Sequence, residues 1–179
     1  MCPLVVRQTT YWVLPVLENI VVQGPARAKA LQALWVTFGG QVRMLELDLG
    51  SGVSMGDVGS IVEVCPALEE LNLRLGMEDF NLCSNSTVDS EGGVIQTWVC
   101  THNTLQRVGI CIDARKWSVR TWMVVTEYVE KLGMGCPALH QVQLYVQNVE
   151  VAEQNPQFHA LRETMSSSGR QLLLRAFHI

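Results

Sequence analysis

A short string of residues recurs along this chain and constrains its fold more than any other feature. Its form is x-P-x-L-x-x-[apolar]-x-[apolar]; the proline is relaxed in some copies, valine replaces the first leucine in the second copy, and the last copy lacks that leucine. The copies are LPVLENIVV, GGQVRMLEL, CPALEELNL, HNTLQRVGI, CPALHQVQL and SSSGRQLLL, starting near residues 14, 39, 65, 102, 136 and 166. Because successive starts lie 25 to 37 residues apart, the pattern indicates a repeat architecture.

Each copy has the character of a β-strand followed by a returning helix. The last two apolar positions, such as Leu45 and Leu47 in the second copy, are two residues apart and therefore point to one face of a strand. Helices that return the chain between copies make successive strands parallel. The predicted helices cover about Pro25–Phe38, 55–64, 91–101, Trp117–Leu132, and a segment starting at Asn155-Pro156.

Two of these helices carry specific signals. Between residues 117 and 132, the apolar residues Trp122, Val125, Val129 and Leu132 recur at helical spacing, and Gly133 is predicted as the C-cap. Asn155 followed by a proline predicts an N-cap with proline at the first helical position. Tryptophans at positions 12, 35, 98, 117 and 122 are expected to pack helices against the sheet.

The shorter intervals match the length of a leucine-rich repeat. The predicted fold is therefore one α/β domain over residues 1–179, a leucine-rich-repeat solenoid shaped as a horseshoe. Its parallel sheet lines the concave face, and its helices cover the convex face. The polar stretch 75–93 is read as an exposed loop inserted in the third repeat.

The repeats resemble the cysteine-containing leucine-rich repeats of F-box proteins, including fungal F-box-like proteins. The resemblance runs from about residue 14 to the C-terminus and is carried by Cys65–Leu73 and Cys136–Leu139, with the LPVLENIVV string as a related opening. It implies a domain that holds a substrate protein for an SCF-type ubiquitin ligase. The F-box itself is not visible, so the chain is expected to be a fragment or a form that never joins a ligase.

Composition narrows the possible partners and compartments. The formal net charge is −4 and the 13 Lys and Arg residues form no dense cluster, so phosphate neutralisation on nucleic acid is not expected. No apolar run approaches the ~20 residues that cross a bilayer, and no signal-peptide layout opens the chain. The expected location is the cytoplasm or nucleus, where the six cysteines are free thiols.

Two short stretches offer enzymatic readings. The Asp48–Gly52 corner resembles the cofactor loop of an S-adenosylmethionine-dependent methyltransferase, but the next strand offers Asn72 and Arg74 at its end instead of an acidic residue. Gly52–Gly56 fits the G-x-S-x-G pattern around Ser54, yet too few residues precede it for the strands that a hydrolase needs. Neither stretch is expected to support catalysis.

The cysteines give no metal or cofactor site. Cys65 and Cys136 occupy equivalent positions before a strand and are read as small buried thiols. Cys100-Thr101-His102 with Cys111 comes nearest to a ligand set, but the chain contains no C-x-x-C pair. No catalytic, cofactor-binding or metal-binding residues are therefore assigned.

Strand residues that alternate with the apolar pairs are the candidate binding residues. They are expected to line the concave face, where small residues at Gly109 and Cys111 would leave a shallow dip. The tentative protein-binding residues are Glu46, Asp48, Asn72, Arg74, Gln143, Tyr145 and Arg175.

The predicted function is a non-catalytic protein-binding scaffold. Its partners are proteins, and a ubiquitination substrate is the partner that the resemblance implies; neither nucleic acid nor a membrane is expected. Two alternatives stay open: a methyltransferase-like enzyme, and a structural piece of a longer solenoid.

Overall fold

The structure is a computed structural model that describes residues 17–22, 28–48, 55–75, 101–112 and 117–177. Six strands and five α-helices lie in these segments. The strands are β1 (Asn19–Val22), β2 (Met44–Asp48), β3 (Glu70–Leu75), β4 (Arg107–Ile112), β5 (Gln141–Val146) and β6 (Gln171–Ala176). The helices are α1 (Ala28–Phe38), α2 (Met55–Glu63), α3 (Val119–Gly135), α4 (Val149–Glu153) and α5 (Pro156–Ser167), with a short 3-10 turn at Gly39–Gln41.

The six described strands form one sheet in which every pairing is parallel and the order follows the chain, β1 to β6. The α/β class and the parallel sheet predicted from the repeats are thus confirmed. The register joins the same position of every repeat copy, the seventh residue of each string. That row is Ile20, Leu45, Leu71, Val108, Val142 and Leu172.

One face of the sheet is the core. Apart from the end of β6, where Leu174 is half-buried and Ala176 is exposed, the strand residues whose burial is described on this inner face are at most 8% exposed. They belong to the same apolar cluster as the buried helix residues. The four predicted helical positions from Trp122 to Leu132 are buried within it, as is Trp35 of α1. The buried inner-face residues are Ile20, Val22, Leu45, Leu47, Leu71, Leu73, Val108, Ile110, Val142, Leu144, Val146 and Leu172.

A hydrogen-bonded turn before β3 and before β5 explains why the string recurs in these two copies. The main-chain N–H of Leu68 donates to the Cys65 oxygen at 3.0 Å, and Leu139 donates to Cys136 at the same distance. The proline at the next position suits the second residue of such a turn, since its ring fixes φ. The leucine that closes the turn is buried under the sheet.

The helix predictions held in most respects. Asn155 is the N-cap of α5, with its side chain accepting from the N–H of Gln157 and with Pro156 at the start of the helix. The structure also contains the short helix α4, which was not predicted from the sequence. The predicted helix at 91–101 lies outside the described residues, except for Thr101, which is not helical.

Gly133 is not a C-cap, and this prediction was wrong. Helix α3 continues to Gly135, and Cys136 occupies the cap position. The missing side chain at Gly133 instead makes room for Arg170, whose Nη2 donates to the Gly133 oxygen at 2.7 Å. Nε of the same arginine donates to the Leu139 oxygen at 3.0 Å, so Arg170 ties the end of α3 to the last repeat.

Candidate protein-binding surface

The face of the sheet opposite the core, called the outer face below, carries the residues that alternate with the buried ones. Strand register arranges them in three lateral rows. The first row is Asn19, Met44, Glu70, Arg107, Gln141 and Gln171. The middle row is Val21, Glu46, Asn72, Gly109, Gln143 and Leu173, and the third row is Asp48, Arg74, Cys111, Tyr145 and Arg175.

All seven residues singled out in the sequence lie on this face, in two adjacent rows. Glu46, Asn72 and Gln143 belong to the middle row, and the remaining four belong to the third. Their side chains are half-buried or exposed, whereas the inner-face residues beside them are buried, apart from those next to Arg175. The described residues therefore place no helix over this part of the sheet.

Glu70 organises the first row and part of the middle row. Its Oε2 accepts from Nε of Arg107 at 2.9 Å and lies 2.8 Å from Nη2, which joins β3 to β4. Its Oε1 accepts from Nδ2 of Asn72 at 2.9 Å. Because a carboxylate only accepts hydrogen bonds, this contact fixes which end of the Asn72 amide faces Glu70.

The sequence reading missed Glu70 and Arg107 as parts of this surface. A signal for them was available: aligning the repeats places both at the sixth residue of consecutive copies. Opposite charges at equivalent positions of neighbouring parallel strands are expected to pair. Because the ion pair is partly exposed, we expect it to contribute little to the free energy of folding and to act mainly by orienting Asn72.

The expected dip at Gly109 is filled by its neighbours. A Cβ atom at this position would overlap Oδ1 of Asn72 and come within 3.1 Å of Cε2 of Tyr145. Cys111, the other small residue, is buried and lies between Arg74 and Tyr145 in the third row. The glycine thus lets an amide and an aromatic ring converge at the centre of the outer face.

Tyr145 is a neutral hydrogen-bond donor at this centre. Its hydroxyl donates to Oε1 of Gln143 at 3.2 Å. Burial raises the pKa of the Tyr145 phenol, the negative charge of Glu70 adds to the rise, and Arg175 opposes it. Because the pKa is raised overall, the phenol stays protonated and can hold Gln143 in place.

Arg74 and Phe177 are in contact across the third row of the outer face. The guanidinium carbon of Arg74, in β3, lies 5.1 Å from the centre of the Phe177 ring, just after β6. Their strands are three steps apart, about 14 Å, so both side chains reach across the third row toward each other. This contact was not foreseen, because Phe177 follows the last repeat string and belongs to no strand position in the pattern.

His102 and the buried cysteines serve the repeat junctions. His102 occupies the place of Cys65 and Cys136 in its own copy, and its Nε2 donates to the Cys65 oxygen at 3.0 Å. Its main-chain N–H donates to the Gly135 oxygen at 3.0 Å, so the residue links three successive copies. Burial raises the pKa of the Cys65 thiol to about 11, which suits a packing role.

Several other features of the sequence are only partly covered by the described segments. Most of the Asp48–Gly52 corner, Ser54, Cys100 and nearly all of the loop at 75–93 lie outside the described residues. Within those residues, no three His, Cys, Asp or Glu side chains come together in a way that would hold a metal ion. None of the described helices has the length and apolar character needed to cross a bilayer.

Comparison of the chain with models of known protein families, with curated proteins and with solved structures finds no match. Inferences about function therefore start from the outer face itself.

Proposed function

We propose that the six repeats form a leucine-rich-repeat solenoid and that the protein binds another protein, without catalysis, on the concave face of its sheet. In this proposal the outer face is the concave face, and the helices pack on the convex side. Sequential strand order and one lateral row per repeat position support the solenoid. The resemblance of the Cys65 and Cys136 copies to F-box proteins makes a ubiquitin-ligase substrate the proposed partner.

The observation that carries the binding proposal is the state of the outer-face side chains. Polar and aromatic groups at its centre are held in place by contacts with each other, and the described residues leave them accessible. A rigid surface loses little conformational entropy on binding, which favours recognition. Tyrosine and arginine, both present here, are enriched in protein interfaces.

The strand order does not favour the methyltransferase-like alternative. Open α/β sheets bind cofactors where the strand order reverses, since the loops there diverge and leave a crevice. The described strands follow chain order without such a reversal. We expect titration with S-adenosylmethionine to release no heat; saturable heat that disappears in Gly50→Val would contradict the proposal.

Affinity capture with matched variants tests protein binding on the outer face. One variant combines Arg74→Glu with Tyr145→Ala, and the control combines Arg162→Glu with His159→Ala on the exposed surface of α5. Both change the charge equally and remove one ring. We expect the wild type and the control to recover the same proteins and the outer-face variant to lose them. Identical recovery by all three proteins would contradict the proposal.

A further inference from the structure

Two side-chain amides at the centre of the outer face are oriented by contacts that leave half of each amide unused. Nδ2 of Asn72 is engaged by Glu70, so its Oδ1 lies over Gly109 and remains an acceptor without a donor among the described residues. Oε1 of Gln143 is engaged by the Tyr145 hydroxyl, so its Nε2 remains a donor. No other described residue hydrogen-bonds to either side chain.

These two amides lie on opposite sides of Gly109 in the middle row. Asn72 is on β3 and Gln143 is on β5, with their Cα positions about 10 Å apart across β4. A peptide group carries one donor and one acceptor, and a side-chain amide matches either. The pair therefore suits the main chain of a partner lying across the strands.

Two charged side chains lie on strands beyond Asn72 and Gln143, Glu46 in the middle row and Arg175 in the third row. Glu46 lies on β2 and Arg175 lies on β6, and neither forms an ion pair with a described residue. The charge on the outer face is thus divided, with an unpaired carboxylate toward one end of the sheet and an unpaired guanidinium at the other. A partner with the reverse division of charge would match it.

We propose that the outer face binds one extended peptide segment of a partner protein, with its main chain on the Asn72 and Gln143 amides and its basic and acidic side chains on Glu46 and Arg175. This rests on the proposed function, since it specifies the partner of that same surface. Nucleic acid is a poor fit, because the three carboxylates in the outer-face rows balance the three arginines and leave no excess positive charge to attract phosphate.

The geometry fixes the spacing of the two charges in the partner. β2 and β6 are four strand steps apart, about 19 Å, and an extended chain advances about 3.3 Å per residue. The basic and acidic residues of the bound segment therefore lie about six positions apart. An even separation also places both side chains on the same side of an extended peptide.

A display library of random 12-residue peptides, selected on the full chain, tests this proposal. We expect the selected peptides to share a Lys or Arg and an Asp or Glu about six residues apart. Binding of one such peptide, followed by fluorescence anisotropy, should weaken about threefold to tenfold in Glu46→Lys and in Arg175→Glu. Loss of an amide contact in Asn72→Ala or Gln143→Ala should weaken it about fivefold or more.

Charge exchange separates recognition from damage to the fold. A peptide with its two charges interchanged should bind the double variant Glu46→Lys and Arg175→Glu better than it binds the wild type. The control Arg162→Glu on α5 should bind the original peptide as the wild type does.

The outcomes distinguish this inference from the function on which it rests. Selected peptides without the charge spacing, or peptides whose binding ignores Glu46 and Arg175, would overturn the inference and leave protein binding intact. Failure to select any peptide, while intact proteins are still captured and lost in the Arg74→Glu, Tyr145→Ala variant, would do the same. Peptide binding that depends on Arg162 instead would overturn both.

Discussion

Gly109 lies where the outer face has no room for an added side chain. A methyl group there would overlap the Asn72 amide, which would have to leave its hydrogen bond to Glu70. We expect Gly109→Ala to lower the free energy of unfolding by about 1 to 3 kcal/mol, measured by chemical denaturation. Gly40→Ala is the matched control, because a Cβ there meets nothing within 4 Å. Equal effects of the two changes would contradict this account of Gly109.

The Cys65 thiol gives a pH dependence with a definite sign. Burial raises its pKa from 9.0 to about 11, so between these values the unfolded chain has lost a proton that the folded chain keeps. The unfolded state then binds fewer protons, and stability falls as the pH rises. We expect this thiol to contribute a loss on the order of 2 kcal/mol between pH 9 and pH 11.

Cys65→Ala isolates this contribution, since the variant lacks the titrating group and keeps every other one. Denaturation curves across the same pH range should show a shallower decline for the variant than for the wild type. The variant is also expected to be less stable at every pH, because it leaves space in a fully buried site. Parallel declines for the two proteins would show that the thiol is not protected from ionisation.

For single residues, the sequence was enough to predict which side chains share a face of the sheet, but not which of them are in contact. Alternation along each strand was enough to put Glu46, Asn72 and Gln143 on one face, because the side-chain period of a strand is two. The contacts that orient them come from neighbouring strands, and Phe177 approaches Arg74 from three strands away. Such contacts depend on side-chain reach across the sheet, which no single repeat string contains.

Among the elements, helix α5 offers the clearest local prediction. The Asn155 side chain accepts from the N–H of Gln157 at 2.9 Å and satisfies one of the free donors at the start of the helix. We expect Asn155→Ala to lower the free energy of unfolding by about 1 kcal/mol, measured by thermal or chemical denaturation. The neighbouring exposed Gln154→Ala, which removes no cap, should change stability by less than about 0.5 kcal/mol.

Helix starts were easier to read from the sequence than helix ends. Asn155 and Pro156 act on their own helix, so the signal is local and was read correctly. The end of α3 depends on Arg170, which comes from the next repeat and donates to the Gly133 oxygen. In the sequence alone, a glycine that makes room for a distant side chain cannot be distinguished from a glycine that caps a helix.

Gly169 explains why the last copy of the string matches the pattern poorly. Gly169 stands where the other copies have an apolar residue, and its φ of 73° is a left-handed conformation that favours glycine. It lies just after α5 and ends the helix with main-chain bonds from Gly169 and Arg170 to the last turn. The strand that follows keeps Leu172 buried, so the repeat survives without its first leucine.

For the molecule as a whole, the repeats predict unequal stability along the sheet. In the described residues β6 has one neighbouring strand, and Arg175 and Ala176 are exposed, whereas β4 is paired on both sides. Terminal repeats lack one of the two interfaces that stabilise internal ones. Hydrogen exchange should therefore be at least about tenfold faster for β6 amides than for β4 amides. Equal protection would mean that the sheet opens only as one unit.

The central claim is that the repeat copies stack in chain order, because only this order assembles the outer face from Glu46 to Arg175. Methyl–methyl NOEs in a Leu- and Val-labelled sample test it directly. The account predicts strong contacts between successive members of the row Leu45, Leu71, Val108, Val142 and Leu172, which are about 4.8 Å apart strand to strand. A strong contact between Leu45 and Val142, without one between Leu45 and Leu71, would contradict it.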